Sequence, residues 1–217
     1  MDPKSGFNFK TDLLIVNDLQ KSFLQYGELE NSRAEEITPG IKSLLYYFPP
    51  KNVYLFYHYH PLEKFQDLKT RHSVIYKKID FVVMEGNEVV KRDISEEGKS
   101  IGAELEPGLE KYRKHQLEIS VRSSFIKYQC PLLGENFSVI QYLKLSDVFK
   151  KNGIKRIFFC GLNLDPCIKN EIDYLLDKKQ FEILIFEDLV RSRNLKDHFI
   201  TLEKLSSAGA KLAKSKD

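Results

Sequence analysis

The chemistry of this chain is first readable at Cys167. It stands six residues beyond Gly161, after the segment Leu162-Asn163-Leu164-Asp165-Pro166. An apolar run, Ile157 to Cys160, comes before and predicts a buried strand. Asp165 suits a helix N-cap and Pro166 the first helical position, so Cys167 falls in the first turn of a predicted helix. Backbone N–H groups and the helix dipole favour an anion there, which makes the thiol easier to ionise and a candidate nucleophile. Position alone leaves another reading open, because a free cysteine is most often a small buried hydrophobe.

Three other groups could work with a thiol. Asp18 directly follows the predicted strand Asp12 to Asn17 and could take the thiol's proton as a general base. Taken alone, it reads first as a cap or turn residue. His58 and His60 are two residues apart, so on an extended chain they point the same way and could supply two metal ligands. Alone, they are ordinary strand-end histidines. Arg122 follows the short apolar segment Leu117 to Val121 and could pair with Asp18 or bind an anionic substrate; a surface arginine is the equal alternative. Asp18, the histidine pair, Arg122 and Cys167 all come at or just after the end of a predicted strand. In a parallel sheet those ends share one edge, where open α/β sheets bind their ligands.

The elements that must position these groups follow from the hydrophobic pattern. Strands are predicted at Asp12 to Asn17, Asn52 to Tyr57 and Leu117 to Val121. Ile154 to Val190 reads as strand, loop, helix, strand, its second apolar run spanning Phe181 to Phe186. Helices are predicted at Ala34 to Phe48, ended by Pro49-Pro50, at Phe137 to Lys151, stopped at Asn152-Gly153, and at Asn194 to Ala208. Phe81 to Met84 and Val89 to Val90 flank Gly86-Asn87 as a hairpin expected beside the main sheet. The lysine-rich tail after Ala208 is expected to fray. The alternation predicts a single α/β domain over residues 1–217, with a mostly parallel sheet.

Bulk properties narrow the function classes. The 217 residues are 42% hydrophobic and 30% charged, enough for one full core. A formal net charge of +3, with both signs interspersed, does not point to nucleic acid. No apolar run approaches the ~20 residues that span a bilayer, and MDPKSGFNFK lacks the apolar centre of a signal peptide. Cys130, Cys160 and Cys167 make neither a disulfide framework nor a zinc set. The expectation is a soluble, cytoplasmic protein with reduced thiols and no membrane partner.

Several stretches resemble the isochorismatase-like cysteine hydrolases, nicotinamidases and pyrazinamidases above all. LLIVNDLQKSF is similar to their first strand and catalytic aspartate, apolar run then Asp-x-Gln-x-x-Phe, which matches Asp18, Gln20 and Phe23. His58 to Pro61 (HYHP) resembles Asp-Trp-His-Pro. Gly102 to Leu109 (GAELEPGL) resembles Gly-Ala-Glu-Leu-x-Pro-x-Leu, and Glu135 to Ile140 (ENFSVI) resembles Asp-Ser-Tyr-Ser-Ala-Phe. FFCGLNLDPCIKNEIDYLL is similar to the segment that carries the nucleophile, and SSAGAKL fits the family's tail. The matches occur in the family's order over nearly the whole chain.

The resemblance implies a three-layer αβα fold around a sheet of about six strands. It implies an Asp, Lys and Cys triad in which the thiolate attacks an amide carbonyl, ammonia leaves, and water releases the acid. Asp18 and Cys167 match two members. The lysine aligns best with Arg122, with Lys127 as a substitute, and arginine keeps the charge without readily giving up a proton. Phe23, Phe137, Leu162 and Asn163 are the expected substrate-binding positions, and a non-proline cis peptide is expected at Leu162-Asn163. A divalent metal such as zinc would fall to His58 and His60, although the family's aspartate is replaced by His58. The expected partners are a small amide and, since members of the family commonly self-associate, a second copy of the chain. Three readings follow: a nicotinamidase, a metal-free hydrolase of another small amide or ester, and a catalytically impaired member that binds a small molecule or serves as an assembly subunit.

Overall fold

The apolar runs become strands. In the computed structural model, which describes residues 6–24, 31–58, 80–85, 88–93, 109, 125–127, 140 and 145–216, they are β1 (Asp12–Asn17), β2 (Val53–His58), β3 (Asp80–Glu85), β4 (Glu88–Asp93), β5 (Phe125–Lys127), β6 (Arg156–Leu162), β7 (Glu182–Arg191) and β8 (Lys211–Ala213). The helices are α1 (Ala34–Tyr47), α2 (Leu145–Lys151), α3 (Lys169–Lys178) and α4 (Leu195–Ser207). The main sheet has six strands in the order β5-β2-β1-β6-β7-β8. Every neighbouring pair in it is parallel.

Two cores follow from the two-residue period of the strands. All six residues of β1 are buried, as expected where helices cover both faces of a sheet. Leu14 and Val16 pack with Phe158 and Cys160 against Ile37, Ile41 and Leu44 of α1. Leu13 and Ile15 face the other way, with Ile157 and Phe159, onto Phe149 of α2, Ile172 and Leu175 of α3 and Leu205 of α4. The result is the expected three-layer αβα sandwich. Gly40 lets α1 approach β7 closely, because a Cβ there would lie 2.5 Å from Leu189 Cδ2.

The two edges of the sheet hold polar groups differently. At the amino edge the buried Asp12 carboxylate accepts hydrogen bonds from Asn8 N (2.6 Å), Arg156 Nε (2.9 Å) and Arg156 Nη2. Asn52 Nδ2 donates to the carbonyls of Asp12 and Phe9. At the carboxyl edge β1 and β6 end side by side, Asn17 in register with Gly161. Gly161 has φ 113°, and a Cβ on it would come 2.2 Å from Asn17 O. Only glycine allows this approach. Against β7, β6 shifts register between Phe159 and Gly161, a bulge that redirects the chain into the Cys167 turn.

Some expectations change. The lysine-rich tail does not fray: Lys211–Ala213 pairs with β7, and Ser215 N and Oγ both donate to the Asp188 carboxylate. The outer edge of β7 offers unpaired backbone groups, and the tail completes them. The hairpin forms as expected, but as a separate two-stranded antiparallel sheet. Leu117 to Val121 lies outside the described residues; the strand beside β2 is Phe125–Lys127. Of the helix expected over Phe137 to Lys151, the described part is Ile140 and Leu145–Lys151. The last helix begins as expected, Asn194 Oδ1 accepting from Asp197 N at 2.8 Å.

Candidate active site at the carboxyl edge of the sheet

Asp18 continues from β1 with φ 51°, a left-handed conformation that aspartate tolerates better than bulkier residues. Its N–H donates to Phe56 O of β2 at 2.6 Å, and its carbonyl accepts from Gln20 N at 2.9 Å. The residue is fully buried. Phe23 closes the short 3₁₀ turn that follows and packs into the core on the α1 side. Asn17, just before Asp18, is also fully buried, and neither atom of its side-chain amide has a partner among the described residues.

The turn that carries Cys167 lies where the sequence places it but is wound differently. Asn163, not Asp165, occupies the N-cap position, and Leu164–Ile168 forms a turn of π-helix closed by Ile168 N donating to Asn163 O. Single π turns often mark functional sites. Asp165 is extended (φ −119°, ψ 129°), and its carboxylate accepts from Thr201 Oγ1 of α4 at 2.9 Å instead of capping the helix. The cis bond expected at Leu162-Asn163 is absent; the cis bond in this turn is Asp165-Pro166. A tertiary amide before proline loses most of the trans preference that a secondary amide keeps.

The two described thiols stand in different surroundings. Cys160 lies inside β6, fully buried, with Sγ donating to Ile15 O at 3.7 Å. Burial pushes its thiol pKa well up, and such a thiol is inert. Cys167 stands in the turn beyond the strand, at the edge that also carries Asp18. Neither forms a disulfide.

Hydrogen bonds tie the segments around Cys167 together. Asn31 Nδ2 donates to Asn163 Oδ1 at 3.0 Å, and Asn31 N donates to Phe23 O at 3.0 Å. The arm that carries Asp18 is thereby joined to the loop that carries Cys167. Glu171, one turn beyond Cys167 and fully buried, accepts from Ile140 N at 3.0 Å, which holds the end of ENFSVI against α3. Asn17, Asn31 and Glu171 are missing from the sequence reading. Asn31 carried a signal, an N-cap-type residue shortly before an apolar helical pattern.

Asp18, Leu162, Asn163 and Cys167 therefore share the carboxyl ends of the adjacent strands β1 and β6, with Phe23 on the same arm as Asp18 and packed into the core on the α1 side. His58 is the last residue of β2 at the same edge, its Cα level with that of Lys127 in β5. Arg122, His60 and Phe137 lie outside the described residues. Among the described residues no three His, Cys, Asp or Glu side chains cluster as a metal site.

No family model and no curated protein matches the sequence. Solved structures do. The pyrazinamidase of Pyrococcus horikoshii, in complex with zinc, is 20% identical with a TM-score of 0.63, covering 94% of this chain and 98% of its own. PnC1 from L. infantum, in complex with nicotinate, is 21% identical with a TM-score of 0.67, covering 96% and 95%. An isochorismatase-like hydrolase from Alkaliphilus metalliredigens is 13% identical with a TM-score of 0.60, covering 96% of each chain. The chain has the fold of these hydrolases. The isochorismatase-like fold expected from the motifs is thus the fold found, over nearly the full length of both partners in each comparison. Among the described residues, no helix is long and apolar enough to cross a membrane.

Proposed function

We propose that the chain is a cysteine hydrolase that cleaves a small amide, nicotinamide being the first substrate to test. The observation that carries this reading is the pairing of β1 with β6, in register up to Asn17 and Gly161, so that Asp18 and the Cys167 turn leave the sheet side by side. Asp18 takes the thiol proton, the Cys167 thiolate adds to the amide carbonyl, and the proton passes to the departing nitrogen as ammonia leaves. Water then adds to the thioester, the carboxylic acid departs, and the thiol regains its proton.

The cation of this site is assigned to Lys127 over Arg122. Lys127 ends β5 with its Cα level with His58, at the edge that carries Asp18, whereas Arg122 precedes the first residue of that strand in the sequence. An ammonium can exchange a proton near neutral pH, and a guanidinium cannot. The histidine at position 58, where the resembling family has an aspartate, favours a second substrate class: another small amide or ester, cleaved without a metal.

Ammonia release from nicotinamide, with Cys167→Ala, Lys127→Ala and Arg122→Ala in parallel, tests the assignment. Activity that survives Cys167→Ala rejects the mechanism. A larger loss from Arg122→Ala than from Lys127→Ala returns the cation to Arg122. Turnover of esters but not of nicotinamide selects the second substrate class.

A further inference from the structure

The Asn31–Asn163 contact has a direction that its chemistry fixes. Arg33 N donates to Asn31 Oδ1 at 3.1 Å, and a backbone N–H can only donate. Asn31 must therefore present Nδ2, not oxygen, to its next partner, and it does so to Asn163 Oδ1 at 3.0 Å. That contact uses the Asn163 oxygen, so the side of the Asn163 amide left over is the donor, Nδ2. Asn31 N and O are bonded as well, to Phe23 O and Ala34 N, so its backbone is held while Arg33 N sets the side-chain orientation. Both residues are buried, 1% and 6% exposed.

Asn163 does not spend this amide on the helix. It holds the N-cap position, where an asparagine oxygen ordinarily accepts from the first turn, yet it makes no cap bond. Its Nδ2 has no hydrogen-bond partner among the described residues. Unlike the Asn17 amide, this donor is not sealed off from solvent, so it is open to an acceptor that enters the site. Asn163 lies four residues before Cys167, in the turn that leads to the nucleophile.

We propose that Asn163 Nδ2 donates to the oxygen of the substrate's reacting carbonyl, and that Asn31 is the positioning residue that keeps this donor, not the amide oxygen, turned toward it. The inference rests on the cysteine-hydrolase reading. When the thiolate adds to the carbonyl, the C=O π pair moves onto oxygen, and a preset donor there stabilises the developing charge. The substrate class is one with a carbonyl that becomes tetrahedral: a primary amide, or an ester of like size.

Asn31→Asp is the decisive variant. Aspartate has no donor, so it accepts from Arg33 N and from Asn163 Nδ2, and the Asn163 amide turns over to face the substrate with oxygen. Asn31→Asp and Asn163→Ala are expected to lower kcat by about 10²- to 10³-fold, with KM little changed. The double variant is expected to be no worse than Asn163→Ala. Pyridine-3-carbaldehyde gives a reading without turnover: the thiol adds across its C=O, the S–C bond forms and the proton goes to oxygen. Both single variants are expected to weaken that adduct by about 100-fold. Iodoacetamide labelling of Cys167, which forms no oxyanion, and the Tm should stay near wild type. Slow labelling and a lowered Tm in Asn31→Asp would reduce Asn31 to a structural role and overturn the proposal. Undiminished kcat in either single variant of an active enzyme would overturn it while leaving the proposed function standing. A wild-type protein that neither releases ammonia nor forms the aldehyde adduct would remove both together.

Discussion

The amino and carboxyl edges of the sheet bury the same kinds of polar side chain and pair them to different extents. At the amino edge, Asp12 has its carboxylate filled by Asn8 N and the Arg156 fork, and Asn52 Nδ2 bridges two carbonyls, leaving only its Oδ1 without a partner among the described residues. At the carboxyl edge, Asn17 keeps a fully buried amide without a partner among the described residues, Asp18 adopts a positive φ, and Gly161 is required by a close backbone approach. Satisfied buried groups add stability, and unsatisfied or strained ones detract from it. The difference separates the part of the molecule that holds the fold from the part free to bind something else. Substitutions at the two edges should therefore separate activity from stability.

The largest effect is expected at Cys167. Cys167→Ala should lower amide hydrolysis by on the order of 10³-fold or more, with a Tm close to wild type, as measured by ammonia release and thermal melting. Cys160→Ala, in the interior of β6, should do the reverse: activity kept, and stability lowered by about 1 kcal/mol through lost packing. If the two cysteine variants behave alike, the division between strand interior and edge fails. Next comes Arg156→Ala at the amino edge. It leaves the buried Asp12 carboxylate without its charged partner, and because Arg156 is itself partly exposed the loss should be about 2 kcal/mol. Denaturant unfolding checks this, with kcat unchanged. A drop in kcat with no loss of stability would mean that the two edges are coupled.

The strands were more legible in the sequence than the turn that carries Cys167. Continuous apolar runs such as Leu13 to Val16 have one good solution, burial on both faces, so β1 is found with the expected limits. Asp165-Pro166 read locally as a cap followed by the first helical residue. The competitor that takes the Asp165 carboxylate, Thr201, is 36 positions away and invisible to a local rule. Asn31 and Asn163 are 132 positions apart, and their contact exists only once α1 and β6 are assembled. The tail misled for a similar reason: lysines argue for solvent, but Lys211–Ala213 gains a backbone ladder on β7 that composition does not announce. Asp18 and the Cys167 turn follow β1 and β6, which pair in parallel, so a reading of strand ends was enough to put both at one edge of the sheet.

Asn17 gives a smaller effect of opposite sign. Asn17→Leu replaces a buried amide without a partner among the described residues by an apolar group of similar shape, so the protein should become more stable by about 1 kcal/mol. For a chain of this length that raises the Tm by about 2–4 °C. An unchanged or lower Tm would show that the amide is satisfied in solution. A raised KM together with the raised Tm would make Asn17 part of the binding pocket.

The smallest effect tests whether charge at the carboxyl edge can stabilise when water reaches it. Glu36 receives Arg33 Nε at 3.1 Å and Arg191 Nε at 2.8 Å, and hydrogen bonds from Arg33 first and Arg191 second pull its carboxyl from 4.5 down to about 2. A folded pKa below the unfolded one contributes stability at pH above the unfolded value. That contribution is lost as the pH falls toward the folded value. The stabilisation should therefore be complete above about pH 5 and fade between there and pH 2. Because the Glu36 side chain is 47% exposed, screening holds the gain to about 0.5 kcal/mol for each pair. Glu36→Gln should thus lower the Tm slightly at pH 7, match wild type near pH 2, and lose most of its effect in molar salt. A difference that persists unchanged down to pH 2 would assign the effect of Glu36 to packing, not charge, and the carboxyl edge would then owe nothing to its ion pairs.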